Sequence, residues 1–124
     1  MTRSVAVVGA SGDPAKYGNK AVRAYRDAGW TVFPVNPKLD QVEGLESFPD
    51  LDAIPVAELD RVSFYIPPSV GLAMLDQVAR KRVGELWLNP GADSPEVVTR
   101  ATELGLPVIQ ACAILGVGRR PSDY

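Results

Sequence analysis

Five short apolar runs, each followed by glycine, proline or another turn-forming stretch, constrain this chain more than any other feature. They are Ser4 to Val8 (SVAVV), Trp30 to Val35 (WTVFPV), Arg61 to Ile66 (RVSFYI), Glu85 to Leu88 (ELWL) and Leu106 to Ala111 (LPVIQA). Runs this short and this continuously apolar read as strands buried on both faces. Helical patterns separate most of them. Asn19 to Ala28 places Ala21, Val22, Tyr25 and Ala28 near helical spacing, with Gly29 as a stop. Ser69 to Arg82 carries an apolar stripe through Val70, Ala73, Met74 and Val78, with its basic residues at the C-terminal end, where the helix dipole favours cations. Ser94-Pro95-Glu96 opens a third helix with a capping serine, a proline at the first helical position and an acid in the first turn, and Gly105 ends it. Parallel βα units with right-handed crossovers follow. The expected fold is α/β, a Rossmann-like doubly wound parallel sheet of five strands in the order 3-2-1-4-5. Pro34 belongs near the end of its strand or on its free side. Asn36 to Pro55 reads as loop with one helical turn near Leu51 to Ile54, and the tail GVGRRPSDY as polar and mobile at its end.

A length of 124 residues predicts a single domain, 1–124, able to bury a proper core. Net charge −2 with 23% charged residues excludes a polybasic nucleic-acid binder. No apolar run approaches the roughly 18 residues that span a bilayer, and the first residues lack the pattern of a signal peptide. A soluble, cytoplasmic protein is expected, and the single cysteine, Cys112, agrees with a reducing compartment. Histidine is absent, so neither a hydrolase triad built on imidazole nor a histidine metal site can come from this chain.

In a doubly wound sheet the ligand lies beyond the carboxyl ends of the strands, at the point where strand order reverses. The residues there are Gly9-Ala10-Ser11-Gly12, then Asn36-Pro37-Lys38, then Pro67-Pro68 after Ile66, then Asn89-Pro90-Gly91, and finally Cys112. The first turn runs on through Asp13 and Pro14 to Tyr17 and Gly18. Its glycines fall at 9, 12 and 18, whereas the dinucleotide fingerprint G-x-G-x-x-G would put them at 9, 11 and 14. Glycines and free amides at a helix start still suit a diphosphate, with Lys16 and Lys20 as nearby cations. An NAD site usually carries an acid at the end of strand two, where this chain has Asn36 and then Lys38. A cation without a carboxylate suits a phosphorylated ribose, which NADP and coenzyme A both have. A hydride-transfer enzyme also needs a substrate pocket and a proton donor, for which a second domain would be required. Tyr17 either covers the nucleotide or packs on the first helix, and Trp30 and Trp87 read as core.

The motifs GASGDPAKYG, VNPK, SFYIPPS, LWLNPGADSPEVV and QACAI, in that order, resemble the stand-alone coenzyme A-binding proteins of bacteria and archaea. These are similar to the nucleotide-binding domain of the succinyl-CoA synthetase alpha subunit and of ADP-forming acyl-CoA synthetases. The likeness runs from about Ser4 to about Gly118. It implies that Ser11, Gly12, Asp13 and Pro14 contact the CoA phosphates, that Lys38 assists, and that Pro67-Pro68 flanks the path of adenine and pantetheine. Asn89 and Pro90 stand where those enzymes have Thr-Glu, and Cys112 aligns with a cysteine of theirs. A thiol at that place either forms a mixed disulfide with CoA or is simply structural. The synthetases pass a phosphoryl group through a histidine on a following domain and use an ATP-binding partner; this chain contains no histidine, and nothing in it nominates a nucleophile. The expected function is therefore non-catalytic binding of CoA or acyl-CoA, with the diphosphate on the Gly9–Gly12 turn. The alternatives are an NADP-dependent oxidoreductase and the CoA-binding component of a split acyl-CoA synthetase. A homo-oligomer or another protein partner remains open.

Overall fold

The structure, a computed structural model, describes residues 2–124. Strands β1 (Ser4–Val8), β2 (Thr31–Val35), β5 (Glu58–Phe64), β6 (Arg82–Leu88) and β7 (Val108–Ile109) form one sheet in the order β2-β1-β5-β6-β7. Every neighbouring pair is parallel. Helices α1 (Tyr17–Asp27), α2 (Pro68–Arg80) and α3 (Pro95–Glu103) make the crossovers, and a small antiparallel hairpin joins β3 (Gln41–Val42) to β4 (Leu45–Glu46).

Beyond β2 the Phe48 segment makes one parallel bridge to Val35. Counted as third in chain order, it completes a 3-2-1-4-5 pattern with a sixth strand at the far edge. The segment in third place is thus Phe48, and Arg61–Phe64 lies on the other side of β1. Pro34 sits inside β2, but its carbonyl accepts from Phe48 N on that outer edge. Its missing amide therefore faces the side where no full strand follows.

Side chains alternate across the sheet as the pleat requires. Ala6, Val8, Val62, Phe64, Leu86 and Leu88 pack with Leu75 and Val78 of α2 and Val97 and Ala101 of α3. Val5, Val7 and Trp87 pack on the opposite face with Ala21, Val22 and Tyr25 of α1 and with Ala113 and Ile114. The tail read as mobile is instead held against α1: Lys20 Nζ donates to the Pro121 carbonyl at 3.3 Å, and Tyr124 Oη to Asp27 at 2.9 Å. Two short 3₁₀ turns, Leu115–Val117 and Pro121–Asp123, shape it.

One half-buried cation ties this layer together. The Arg61 guanidinium lies 4.9 Å from the ring centres of both Trp30 and Trp87. It also donates to Glu85 at 2.8 Å, to Tyr25 Oη at 3.2 Å and to the Gly116 carbonyl at 3.1 Å. The tryptophans are core residues, as expected, and they enclose a charge. Arg61→Ala should lower the unfolding free energy by about 2–3 kcal/mol in urea titrations, since two cation–π contacts and three hydrogen bonds go together. An effect below about 0.5 kcal/mol, the range of an ordinary surface change, would show that the cluster contributes nothing.

Candidate functional site

The carboxyl ends of the strands bring the predicted loops to one edge. Gly9 ends β1 at φ +91°, where a Cβ would overlap the Tyr65 carbonyl, so only glycine turns the chain there. The loop then closes on itself: Ser11 Oγ accepts from Asp13 N at 3.0 Å, Asp13 Oδ1 from Ala15 N at 3.0 Å, and Asp13 O from Lys16 N at 3.0 Å. Buried Asn19 anchors it by donating to Ser11 O at 2.9 Å. The polar side chains of Ser11 and Asp13 are thus engaged in local turns. What the loop leaves free is backbone. Among the described residues, no acceptor meets the amides of Ser11, Gly12, Tyr17 or Gly18.

Helix α1 starts at Tyr17, two residues before the predicted start, with extended Lys16 before it, no side-chain cap and no acid in its first turn. Among the described residues, no side chain accepts from its first amides. Helix α2 begins in the same manner at Pro67-Pro68, whereas α3, whose Ser94 accepts from Val97 N, satisfies its own start as expected. Gly12 has no heavy atom within 4 Å of where a Cβ would stand, and Gly18 is pressed against the carbonyl of Gly9. Gly9 thus supplies a tight turn and Gly18 close helix–strand packing, while the space beside Gly12 is open.

Three concavities run along this edge. The first, about 450 Å³, lies at the ends of β2 and α2 between Asn36, Pro37, Lys38, Asp50, Ile66 and Met74. The second, about 400 Å³, holds Gly9, Lys16, Tyr17, Gly18, Pro67 and Pro90. The third, about 350 Å³, lies between Tyr17, Tyr65, Asn89, Cys112, Leu115 and Pro121. Gly9 and Ile66 line both the first and the second, and Tyr17, Tyr65 and Pro90 both the second and the third. A larger open groove, about 800 Å³, lies at the amino ends of the strands. Its Lys81 ammonium is spent on the carbonyls of Ile54 and Val56, so it offers less to a ligand.

Not every predicted residue is free to bind. Asn36 donates to Ala10 O and accepts from Lys38 N, both at 2.8 Å, which locks the second turn onto the first. Asn89 is buried; its amide donates to Ser63 Oγ at 2.8 Å and Phe64 O at 2.9 Å, and its oxygen accepts from Ala113 N at 2.8 Å. Both asparagines hold the edge in shape. Lys16 and Lys38 make no ion pair among the described residues, and Tyr17 is 57% exposed. Sequence reasoning missed Tyr65, Asp50 and Leu115 as wall residues, because nothing in a strand end or a loop shows which way a side chain faces, and it read Met74 only as part of the apolar stripe of α2. Tyr65 Oη is buried, with Ser63, Cys112 and Tyr25 as its polar neighbours. Burial pushes its ionisation well above the ordinary tyrosine range, against the opposing influence of nearby Ser63.

Comparison with known proteins agrees with this fold. A conserved hypothetical protein of Pyrococcus furiosus superimposes with a TM-score of 0.82 at 32% identity, covering 92% of this chain and 98% of that one. An acetyl-coenzyme A synthetase of Ca. Korarchaeum cryptofilum, solved with phosphate and ADP, gives a TM-score of 0.74 at 28% identity over 87% of this chain and 25% of the other. In sequence the chain is 27% identical to the alpha subunit of an ADP-forming acetate–CoA ligase of Pyrococcus furiosus over 118 residues, 86% of this chain but 26% of the subunit. The chain thus spans about a quarter of that ligase subunit. Residues 3–117 match the family described as CoA binding domain, and with this fold and edge the chain belongs to that family.

Proposed function

We propose that this chain holds coenzyme A or an acyl-CoA across the carboxyl edge of its sheet without transforming it, as a carrier, sensor or store. The observation that carries this reading is the set of free amides of Ser11, Gly12, Tyr17 and Gly18 at the uncapped start of α1. Lys16, Tyr17 and Gly18 line the second cavity, and the Ser11 and Gly12 amides of the adjoining loop, which line none of the three cavities, would extend it into a cradle for a diphosphate. The edge is graded in the same sense as the ligand. Lys38 at the β2 end suits the phosphorylated ribose, the α1 start suits the diphosphate, and the mostly apolar third cavity suits the pantetheine arm. No histidine joins these groups. The likeness to a ligase subunit four times as long supports a second reading, in which the chain is the CoA-holding part of a split acyl-CoA synthetase.

Thermal shift of the purified protein with CoA, acetyl-CoA, NAD and NADP tests the first reading, backed by mass spectrometry of what co-purifies. A ligand at about 100 times its Kd stabilises the native state by about 2.7 kcal/mol. The expected result is a shift with CoA and none with NAD. A shift with NADP alone would overturn it. Lys38→Glu should weaken CoA binding at least tenfold and leave dephospho-CoA, which lacks the ribose phosphate, within about threefold. Equal losses for both would remove Lys38 from the ribose-phosphate site.

A further inference from the structure

We propose that the first cavity selects the base of the bound nucleotide, with the Asp50 carboxylate accepting from the exocyclic amine of adenine and the Gln77 amide donating to the adjacent ring nitrogen, N1. This rests on the CoA reading and adds the residues that choose an amino purine over an oxo purine. The cavity, about 450 Å³, is within the range of ligand pockets. Val70, Met74 and Gln77 stand at i, i+4 and i+7 of α2, which sets them on one helix face, and all three line the cavity. Pro37, Pro49 and Ile66 add apolar surface for the faces of a ring, and Lys38 lines the same cavity, beside the place where the ribose phosphate would lie. Val70 is 45% exposed, and a base held here would cover it.

Each of the two polar side chains is fastened by one oxygen and keeps its other polar atom free. Leu51 N donates to the Gln77 carboxamide at 2.9 Å. An amide N–H needs an acceptor, so the atom facing it is Oε1, and the Nε2 donor turns the other way. Ala53 N donates to Asp50 Oδ1 at 2.9 Å, which leaves Oδ2 as the open acceptor. Among the described residues, no hydrogen bond takes up Gln77 Nε2 or Asp50 Oδ2, and neither atom is sealed from solvent. The two are also tied together, since the amide that Gln77 holds belongs to Leu51, the residue after Asp50. One free acceptor and one free donor thus stand at neighbouring points of the wall. Adenine presents the complement, an amine that donates next to a ring nitrogen that accepts. A purine with an oxo group in place of that amine reverses both, because its oxygen accepts and its N1–H donates. Sites that read hydrogen-bonding groups discriminate in this way, since the wrong ligand leaves polar atoms unpaired.

Isothermal titration calorimetry with CoA and deamino-CoA, in which an oxo group replaces the adenine amine, tests this on wild type and on the Asp50→Asn, Gln77→Glu double variant. Both substitutions keep the oxygens that hold Ala53 N and Leu51 N, so the fold keeps its fasteners. Each reverses the polarity of the free atom, and together they leave the net charge facing the phosphates unchanged. Wild type should bind CoA about tenfold more tightly than deamino-CoA. The double variant should invert the order, with deamino-CoA at least threefold tighter than CoA. Equal wild-type affinity for the two ligands, or a ratio that the double variant leaves unchanged, would overturn the assignment while leaving CoA binding intact. Failure of wild type to bind CoA at all would instead remove the reading on which it rests.

Discussion

Gly12→Glu is expected to abolish CoA binding in a protein that folds as well as wild type. Position 12 is exposed, its φ lies outside the left-handed region, and no heavy atom lies within 4 Å of a Cβ built there. The fold therefore makes no demand for glycine, and the unfolding free energy should stay within about 0.5 kcal/mol of wild type. The ligand makes the demand. The Gly12 amide is one of the four free donors, and a glutamate there sets a carboxylate against the diphosphate. Two like charges about 4 Å apart at an effective dielectric near 20 repel by about 4 kcal/mol. At about 1.4 kcal/mol per tenfold, affinity should fall by about a thousandfold. Gly12→Ala is the control: with no added charge it should cost only a few-fold. Calorimetry reads the affinities and urea unfolding the stability. Unchanged CoA affinity in Gly12→Glu would move the diphosphate off the Gly9–Gly12 turn.

Much of the architecture was legible because it depends on patterns that a linear chain displays. Val5 and Val7 face one core and Ala6 and Val8 the other, so a doubly buried strand shows as an unbroken apolar run. The cap of α3 shows as Ser-Pro-Glu. What was hidden depends on contacts distant in sequence. The hairpin between β3 and β4 turns on Glu43-Gly44 with φ values of 52° and 77°, an unusual place for glutamate. It is held there by Asn19, which donates to the Glu43 carboxylate at 3.0 Å, and by Arg26, which donates to its carbonyl at 2.8 Å. Neither partner is near it in sequence. Phe48 took the third place in the sheet through a single bridge, too little to leave a strand signature. The tail looked mobile because it is polar, yet those polar groups are what fasten it to α1. In the site, residue types at the strand ends were readable, but the division of labour among them was not. Asn36 and Asn89 proved to be fasteners, and the donors left free at this edge are backbone amides, which no residue type announces.

Gly18→Ala should have the opposite profile to Gly12→Glu, destabilising the fold by about 2–3 kcal/mol. In an ordinary exposed helix this exchange stabilises by about 0.5–1 kcal/mol, because glycine has more backbone entropy to lose. Gly18 is buried in the first turn of α1, where a Cβ would overlap the Gly9 carbonyl oxygen and stand 3.0 Å from the Gly9 carbonyl carbon and 3.3 Å from Ala10 Cα. All three are backbone atoms, which cannot rotate away as a side chain would. Relief therefore requires α1 to withdraw from β1, loosening Ala21, Val22 and Tyr25 against Val5 and Val7. Overpacking of this kind typically costs about 1–3 kcal/mol. The withdrawal also carries the Tyr17 and Gly18 amides out of line with those of Ser11 and Gly12, so CoA affinity should fall as well, with no change of charge. A midpoint in urea equal to or above wild type would show that α1 does not depend on this close approach, and the geometry of the cradle would have to be rebuilt from another contact.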